Sequence, residues 1–189
     1  MIIKRKETIV NINDINLHFF DEADRTLDEL RTIEADAKKA YDNNPNLSNK
    51  LLWIRAKAEY MFGDGKQEDA VKYLRAEIDK LSVIEDAPEV LHKILDVYEL
   101  CIDYLLRLKR PQKAFDLAYS MMDIADNHFE DTFDYARCEE LYGICCMAIG
   151  DKKQAQEFLE DAMVRVKDAI AEMEDLKDSL EHNLEALNK

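Results

Sequence analysis

Apolar residues recur along this chain at steps of three and four, the period of a helix face, in most stretches between its few breakers. The first stripe reads Phe20, Ala23, Leu27, Leu30, Ile33, Ala37 and Tyr41. It predicts an N-terminal helix over residues 14–43, capped by Asp14 and closed by Asn43-Asn44-Pro45-Asn46, because proline disfavours helix in the residue before it. Residues 1–12 alternate only loosely and read as an extended arm. A second helix is predicted from about Ser48 to Phe62, ended by Gly63-Asp64-Gly65, and a third from about Gln67 to Leu81, with Ala70, Val71, Leu74 and Ile78 on one face. Asp86-Ala87-Pro88-Glu89 opens a fourth that continues to about Lys109, and Pro111 opens a fifth that lasts to about Asn127, since proline suits a first turn. Asp131 or Thr132 caps a sixth helix ending at Ile149, and Gly150-Asp151 turns the chain into a seventh.

The seventh helix is long, roughly 55–60 Å at 1.5 Å per residue if it reaches the last residue. Its apolar positions, Ala162, Val166, Ala169, Met173, Leu176, Leu180 and Leu187, come close to a heptad stripe that Asn183 interrupts. That face suits packing on the neighbouring helix, capping of the domain, or a dimer seam. The chain thus reads as one all-α domain over 1–189, of about seven helices: arm 1–12, helix 14–43, hairpins 48–83, 89–127 and 131–170, and a C-terminal extension 171–189.

Composition supports long helices with few connections, since 189 residues include only 4 Gly and 3 Pro and turns draw on both. With 47% hydrophobic residues the chain can bury a substantial core. The formal net charge of -15 disfavours phosphate backbones and anionic lipid, so neither nucleic acid nor membrane is an expected partner. Lys4-Arg5-Lys6 is a short basic patch that reads as a solvated tail. No run approaches the ~20 apolar residues of a membrane span, and the first residues lack the pattern of a secretory signal. Cys101, Cys138, Cys145 and Cys146 read as reduced thiols in a core, and the expected compartment is the cytoplasm.

One spacing recurs three times. Ala58 and Ala70, Ile102 and Ala114, and Gly143 and Ala155 are each 12 residues apart. Leu74, Ala118 or Leu159 follows four residues after the second member, and Met61, Leu105 or Cys146 three after the first. Two helices folded back on each other need small residues where their backbones come close. Repeating that geometry in successive hairpins makes a stack, which a simple antiparallel bundle would not require.

These frames resemble the tetratricopeptide repeat, a helix–turn–helix unit with the pattern W-x2-L-G-x2-Y…A-x3-F…P. The third unit matches best, with Tyr142-Gly143-x2-Cys146, Gly150-Asp151, and Ala155-x3-Leu159 followed by Ala162. The second reads Tyr98-x2-Cys101-Ile102-x2-Leu105 and Ala114-x3-Ala118, and the first Ile54-x2-Lys57-Ala58-x2-Met61 and Ala70-x3-Leu74. The alanines lie 44 and 41 residues apart rather than 34, the closing proline is missing, and Lys57 and Ile102 depart from the pattern. Long-helix versions of the repeat occur in bacterial peptide-sensing regulators, behind a DNA-binding domain that has no counterpart before these repeats.

The resemblance implies a right-handed stack of antiparallel hairpins whose first helices line a concave groove for a peptide or helix segment. Carried over unit by unit, the groove-facing candidates are Leu52, Arg55, Glu59 and Phe62, then Asp96, Glu99, Asp103 and Leu106, then Arg137, Glu140, Ile144 and Met147. The three acids of the middle unit form one stripe flanked by Arg55 and Arg137, which points to a partner carrying basic and apolar residues. The lysine and asparagine with which one subclass clamps a chaperone's C-terminal carboxylate are missing.

Candidate chemistry is sparse. Glu89-x2-His92 has the form of a metal-ligand motif, but di-iron bundles need two such motifs and two further glutamates. Asp14 with His18, and Asp178 with His182, lack companions, and Cys138 and Cys145 have no CxxC or matched histidine for zinc. No histidine is placed beside Cys146 as a base, and no glycine-rich phosphate loop is present. Trp53, Tyr60, Tyr73, Phe115, Phe158 and the pair Met121-Met122 read as packing residues. The sequence therefore points to a non-catalytic protein–protein interaction module without cofactor or metal. Its alternatives are a structural homo-oligomer joined through the long terminal helices, including a homodimer, and a specialised chaperone or peptide sensor.

Overall fold

A computed structural model describes residues 25–81, 90–129 and 133–187 of the chain. Among the described residues every regular element is an α-helix: α1 (Leu27–Asn43), α2 (Leu47–Gly63), α3 (Gln67–Leu81), α4 (Leu91–Arg107), α5 (Pro111–His128), α6 (Phe133–Ile149) and α7 (Lys152–Leu187). Each helix packs on the next, and α4 also touches both α2 and α6. The helices α2, α4 and α6 therefore form one row. Behind it, α3 spans α2 and α4, α5 spans α4 and α6, and α7 lies on α6.

The turns that join the hairpins repeat. Gly65 (φ 78°), Lys109 (φ 57°) and Gly150 (φ 94°) each take the left-handed conformation just past a helix end. The next amide in each case donates back across the turn, Lys66 to the Met61 carbonyl, Arg110 to Leu105 and Asp151 to Cys146, all at 2.9 Å. This closure satisfies carbonyls that the helix end leaves bare. It also fixes the phase at which the second helix starts, which is why the paired positions fall 12 residues apart in all three units.

At those positions the helices meet. Ala58, Ala70, Ile102 and Ala114 are fully buried and Ala155 is 2% exposed. A Cβ on Gly143 would lie 2.9 Å from Leu159 Cγ and 3.3 Å from the Ala155 carbonyl oxygen, so only glycine fits this approach. Residue sizes trade across the pairs: Ala58 and Gly143 accompany Leu74 and Leu159, whereas the bulkier Ile102 accompanies Ala118. Summed volume is thereby kept roughly level between units. Around this seam α4 is the innermost helix, and every residue from Val97 to Leu106 is buried.

The N-terminal helix departs from the sequence expectation. Its described part, α1, begins at Leu27, where Thr26 takes an extended conformation and closes a capping box with Glu29. Asp14, Phe20 and Ala23 lie outside the described residues, as do the expected starts at Asp86–Glu89 and Asp131–Thr132. Its inward face is also rotated: Leu30, Glu34, Ala37 and Tyr41 are half-buried, while Ile33 is exposed. Glu34 is held there by the indole N–H of Trp53, which donates to its carboxylate at 2.8 Å, and Tyr41 stacks on the same indole.

Two substitutions test this frame. Gly143→Leu should lower stability by at least about 1–3 kcal/mol through overpacking, seen as a lower melting midpoint. Lys109→Gly should raise stability by up to about 1 kcal/mol, because it removes the Cβ that strains this left-handed position; urea titration would show a higher midpoint with an unchanged slope.

Candidate functional site

The row α2–α4–α6 carries the residues expected to line the groove, and the structure joins them by ion pairs. Arg55 on α2 donates through Nε to Glu59 at 3.0 Å and through Nη1 to Asp96 on α4 at 3.3 Å. Arg137 on α6 reaches the other Asp96 oxygen at 3.2 Å, Glu99 at 2.7 Å and its own neighbour Asp134 at 2.9 Å. Arg25, ahead of α1, closes on Glu59 at 3.3 Å. One continuous chain of charges thus crosses three helices. Asp103 is engaged by Arg107 at 2.8 Å.

Of the twelve sequence candidates, the structure gathers most but not all on an accessible face. Leu52 is exposed, and Arg55, Glu59, Phe62, Asp96, Arg137, Glu140 and Met147 are half-buried. Leu106, Ile144, Glu99 and Asp103 are buried. Leu106 and Ile144 belong to the core, so they are withdrawn from the binding set: the row is packed more tightly than a one-sided helix face, and their neighbours on α4 and α6 close over them.

Glu99 is the most constrained of the acids. It is 1% exposed, its Oε2 is bonded to Arg137, and its Oε1 has no hydrogen-bond partner. Burial pushes its carboxyl from the usual 4.5 to about 7, against the opposing pull of the Arg137 guanidinium. Burial disfavours the charged form of Arg137 as well, but Glu99 and the bonds to Asp96 and Asp134 outweigh it and raise its pKa overall.

At one end of this face lies a cavity of about 240 Å³ lined by Arg25, Leu30, Arg55, Glu59, Phe62, Gly63, Leu100, Asp103, Tyr104 and Arg107. Arg55, Glu59, Phe62 and Asp103 were anticipated from the repeat frame. The others were not, although Arg107 stands one helical turn after Asp103 and could have been read as its partner. Phe62 and Tyr104 stack with ring centroids 3.8 Å apart, so α2 and α4 supply an aromatic wall together. The side chains of Arg25, Arg55 and Arg107 are 42%, 35% and 38% exposed, whereas those of Glu59 and Asp103 are 16% and 4% exposed. The arginine side chains at this cavity are thus more exposed than the carboxylates they pair with.

Elsewhere the side chains are occupied in packing. Tyr142 contacts Phe115 and Phe158 through ring edges and faces, joining α5, α6 and α7. Lys57 lies over the rings of Trp53 and Tyr73. The four cysteines are free and buried, and burial raises each thiol, to about 12 for Cys101 and Cys146. His92 is exposed on the first turn of α4, while Glu89 lies outside the described residues. Among the described residues no cluster of His, Cys, Asp and Glu is arranged to hold a metal ion, and no helix is long and apolar enough to cross a membrane. Compared with known proteins, the chain matches no family model, no curated protein and no solved structure.

Two outcomes follow from the buried groups. Between about pH 4.5 and 7 the folded state holds a proton on Glu99 that the unfolded chain has released, so this group's contribution makes stability fall as pH rises through that window. Glu99→Gln should remove that slope, and its melting midpoint relative to the wild type should be higher at pH 8 than at pH 5. The thiols should resist a disulfide reagent such as Ellman's in native buffer and react only as the protein unfolds, with labelling and circular dichroism following one transition.

Proposed function

We propose that this chain is a non-catalytic interaction module, a stack of tetratricopeptide-like hairpins that holds a protein segment against its α2–α4–α6 face. What carries the proposal is the cavity between α1, α2 and α4, with its Phe62–Tyr104 wall and three partly exposed arginines, Arg25, Arg55 and Arg107. The repeated 12-residue spacing and the three equivalent turns support the repeat assignment. A cavity of this size seats one apolar side chain of a helix or extended segment, and aromatic walls are the usual seat of such anchors.

The charge of the proposed segment is opposite to that inferred from the acidic stripe. Asp96, Glu99 and Asp103 are already bonded to Arg55, Arg137 and Arg107, so a basic residue would have to displace an intramolecular arginine. A carboxylate beside the apolar anchor instead approaches Arg25, Arg55 or Arg107, whose side chains are more exposed than the Glu59 and Asp103 they pair with. The net charge of -15 opposes an acidic ligand at long range, but screening confines that repulsion to about 8–10 Å at physiological salt.

Selection from a displayed random-peptide library, followed by fluorescence anisotropy on the enriched sequences, tests this. Peptides pairing an apolar residue with Asp or Glu are expected. Tyr104→Ala and Arg107→Glu should each weaken them by about tenfold or more. Enrichment of lysine-rich and arginine-rich peptides would reverse the proposed charge, and affinities indifferent to both substitutions would move the binding surface elsewhere.

A further inference from the structure

The repeat frame places an interface where the last hairpin ends. Ile78 on α3 and Met122 on α5 occupy equivalent positions, 44 residues apart, and are 4% and 7% exposed, on helices that each also pack against the first helix of the following hairpin. Met163 on α7 is the next equivalent, 41 residues on, and it is 55% exposed, as is its neighbour Val164. The main neighbour of α7 among the described residues is α6, which has 17 residues against the 36 of α7. The position covered at Ile78 and Met122 is thus left open at Met163, and Val164 extends the apolar surface there, where the equivalent residues Asp79 and Asp123 are exposed and acidic.

The charges around Met163 and Val164 identify the occupant. At about 100° per residue, Met163 and Val164 bound an arc of the helix, and Lys153, Glu160, Lys167 and Glu174 all project within it. All six are exposed. When a second α7 runs antiparallel across this face with the two-fold axis between Met163 and Val164, residue pairs whose numbers sum to 327 come opposite each other. Met163 then meets Val164, Glu160 meets Lys167, and Lys153 meets Glu174, each twice by symmetry. Every charged contact in this register is between opposite signs. Over the paired segment 153–174 these four charges cancel within a chain of net charge -15, so the two segments meet without local repulsion. Lys153 is engaged with Glu157 at 3.0 Å, but both are exposed, and such a pair is exchanged at little cost.

We infer that the open face of α7 binds a second copy of this chain as an antiparallel, two-fold dimer centred between Met163 and Val164. This surface is separate from the α1–α2–α4 cavity and does not depend on it. Sedimentation equilibrium of the full chain should show a dimer, and Met163→Asp should give a folded monomer by circular dichroism. Glu160→Lys alone and Lys167→Glu alone each set like charges opposite one another and should weaken the homodimer by about tenfold or more. An equimolar mixture of those two variants restores opposite charges at both places and should form a heterodimer of near wild-type affinity. A wild-type chain that stays monomeric at every concentration overturns the inference. So does a dimer indifferent to Met163→Asp or to the two reversals, or a mixture that stays monomeric.

Discussion

The close approach of two helices at one small residue is the constraint on which the rest of this structure rests. At Gly143 even a methyl group would collide with Leu159, and Ala58 and Ala70 at the first seam are both fully buried. Such contact demands that the second helix of each hairpin begin at a set phase. The left-handed residue at 65, 109 or 150, with its backward hydrogen bond, supplies that phase. Given these two conditions, a chain with alternating long helices has little choice but to lay its first helices side by side, with α4 enclosed between α2 and α6.

Enclosure of α4 then dictates the electrostatics. A helix surrounded by neighbours still carries Asp96, Glu99 and Asp103 on one stripe, and buried carboxylates without partners are strongly destabilising. Arginine is suited to the task because its planar fork reaches several acceptors at once. Arg137 binds Asp96, Glu99 and Asp134 together, and Arg55 ties Asp96 to Glu59. The acids are thus spent on holding the row together, and of the two arginines Arg55 is more exposed than the acids it binds, whereas Arg137 is no more exposed than Asp96 or Asp134. Burial of Glu99, whose Oε1 has no hydrogen-bond partner, is what lets that group hold its proton to a higher pH despite the nearby Arg137.

Much of this was legible in the sequence where the signal was local. Helix boundaries at Gly63, Pro111, Ile149 and Gly150 follow from breakers whose effect extends over only a few residues. The 12-residue spacing fixed which residues share a seam, because it reports on a turn of constant length. What escaped were features settled by distant partners. Thr26 capped α1 against a continuous apolar stripe, Glu34 turned inward for Trp53, and Lys109 filled a position that elsewhere is glycine. The acidic stripe was seen, but its pairing with arginines 41 residues away in either direction was not, since helical periodicity carries no information about the neighbouring hairpin.

The exchange of sizes across the seams bears on how the chain finds its own pairing. Each first helix carries a different bulk at the contact point, glycine, alanine or isoleucine, and each second helix answers with leucine or alanine. Were α4 to fold back on α3 instead of α5, Ile102 would meet Leu74 and the two side chains would not fit in one layer. Were α6 to take α5, Gly143 would face Ala118 across an empty gap. Repeated units of similar shape are prone to trade partners during folding, within one molecule or between two. Here the seams act as unlike keys, so that hairpins sharing one turn geometry assemble in a single order.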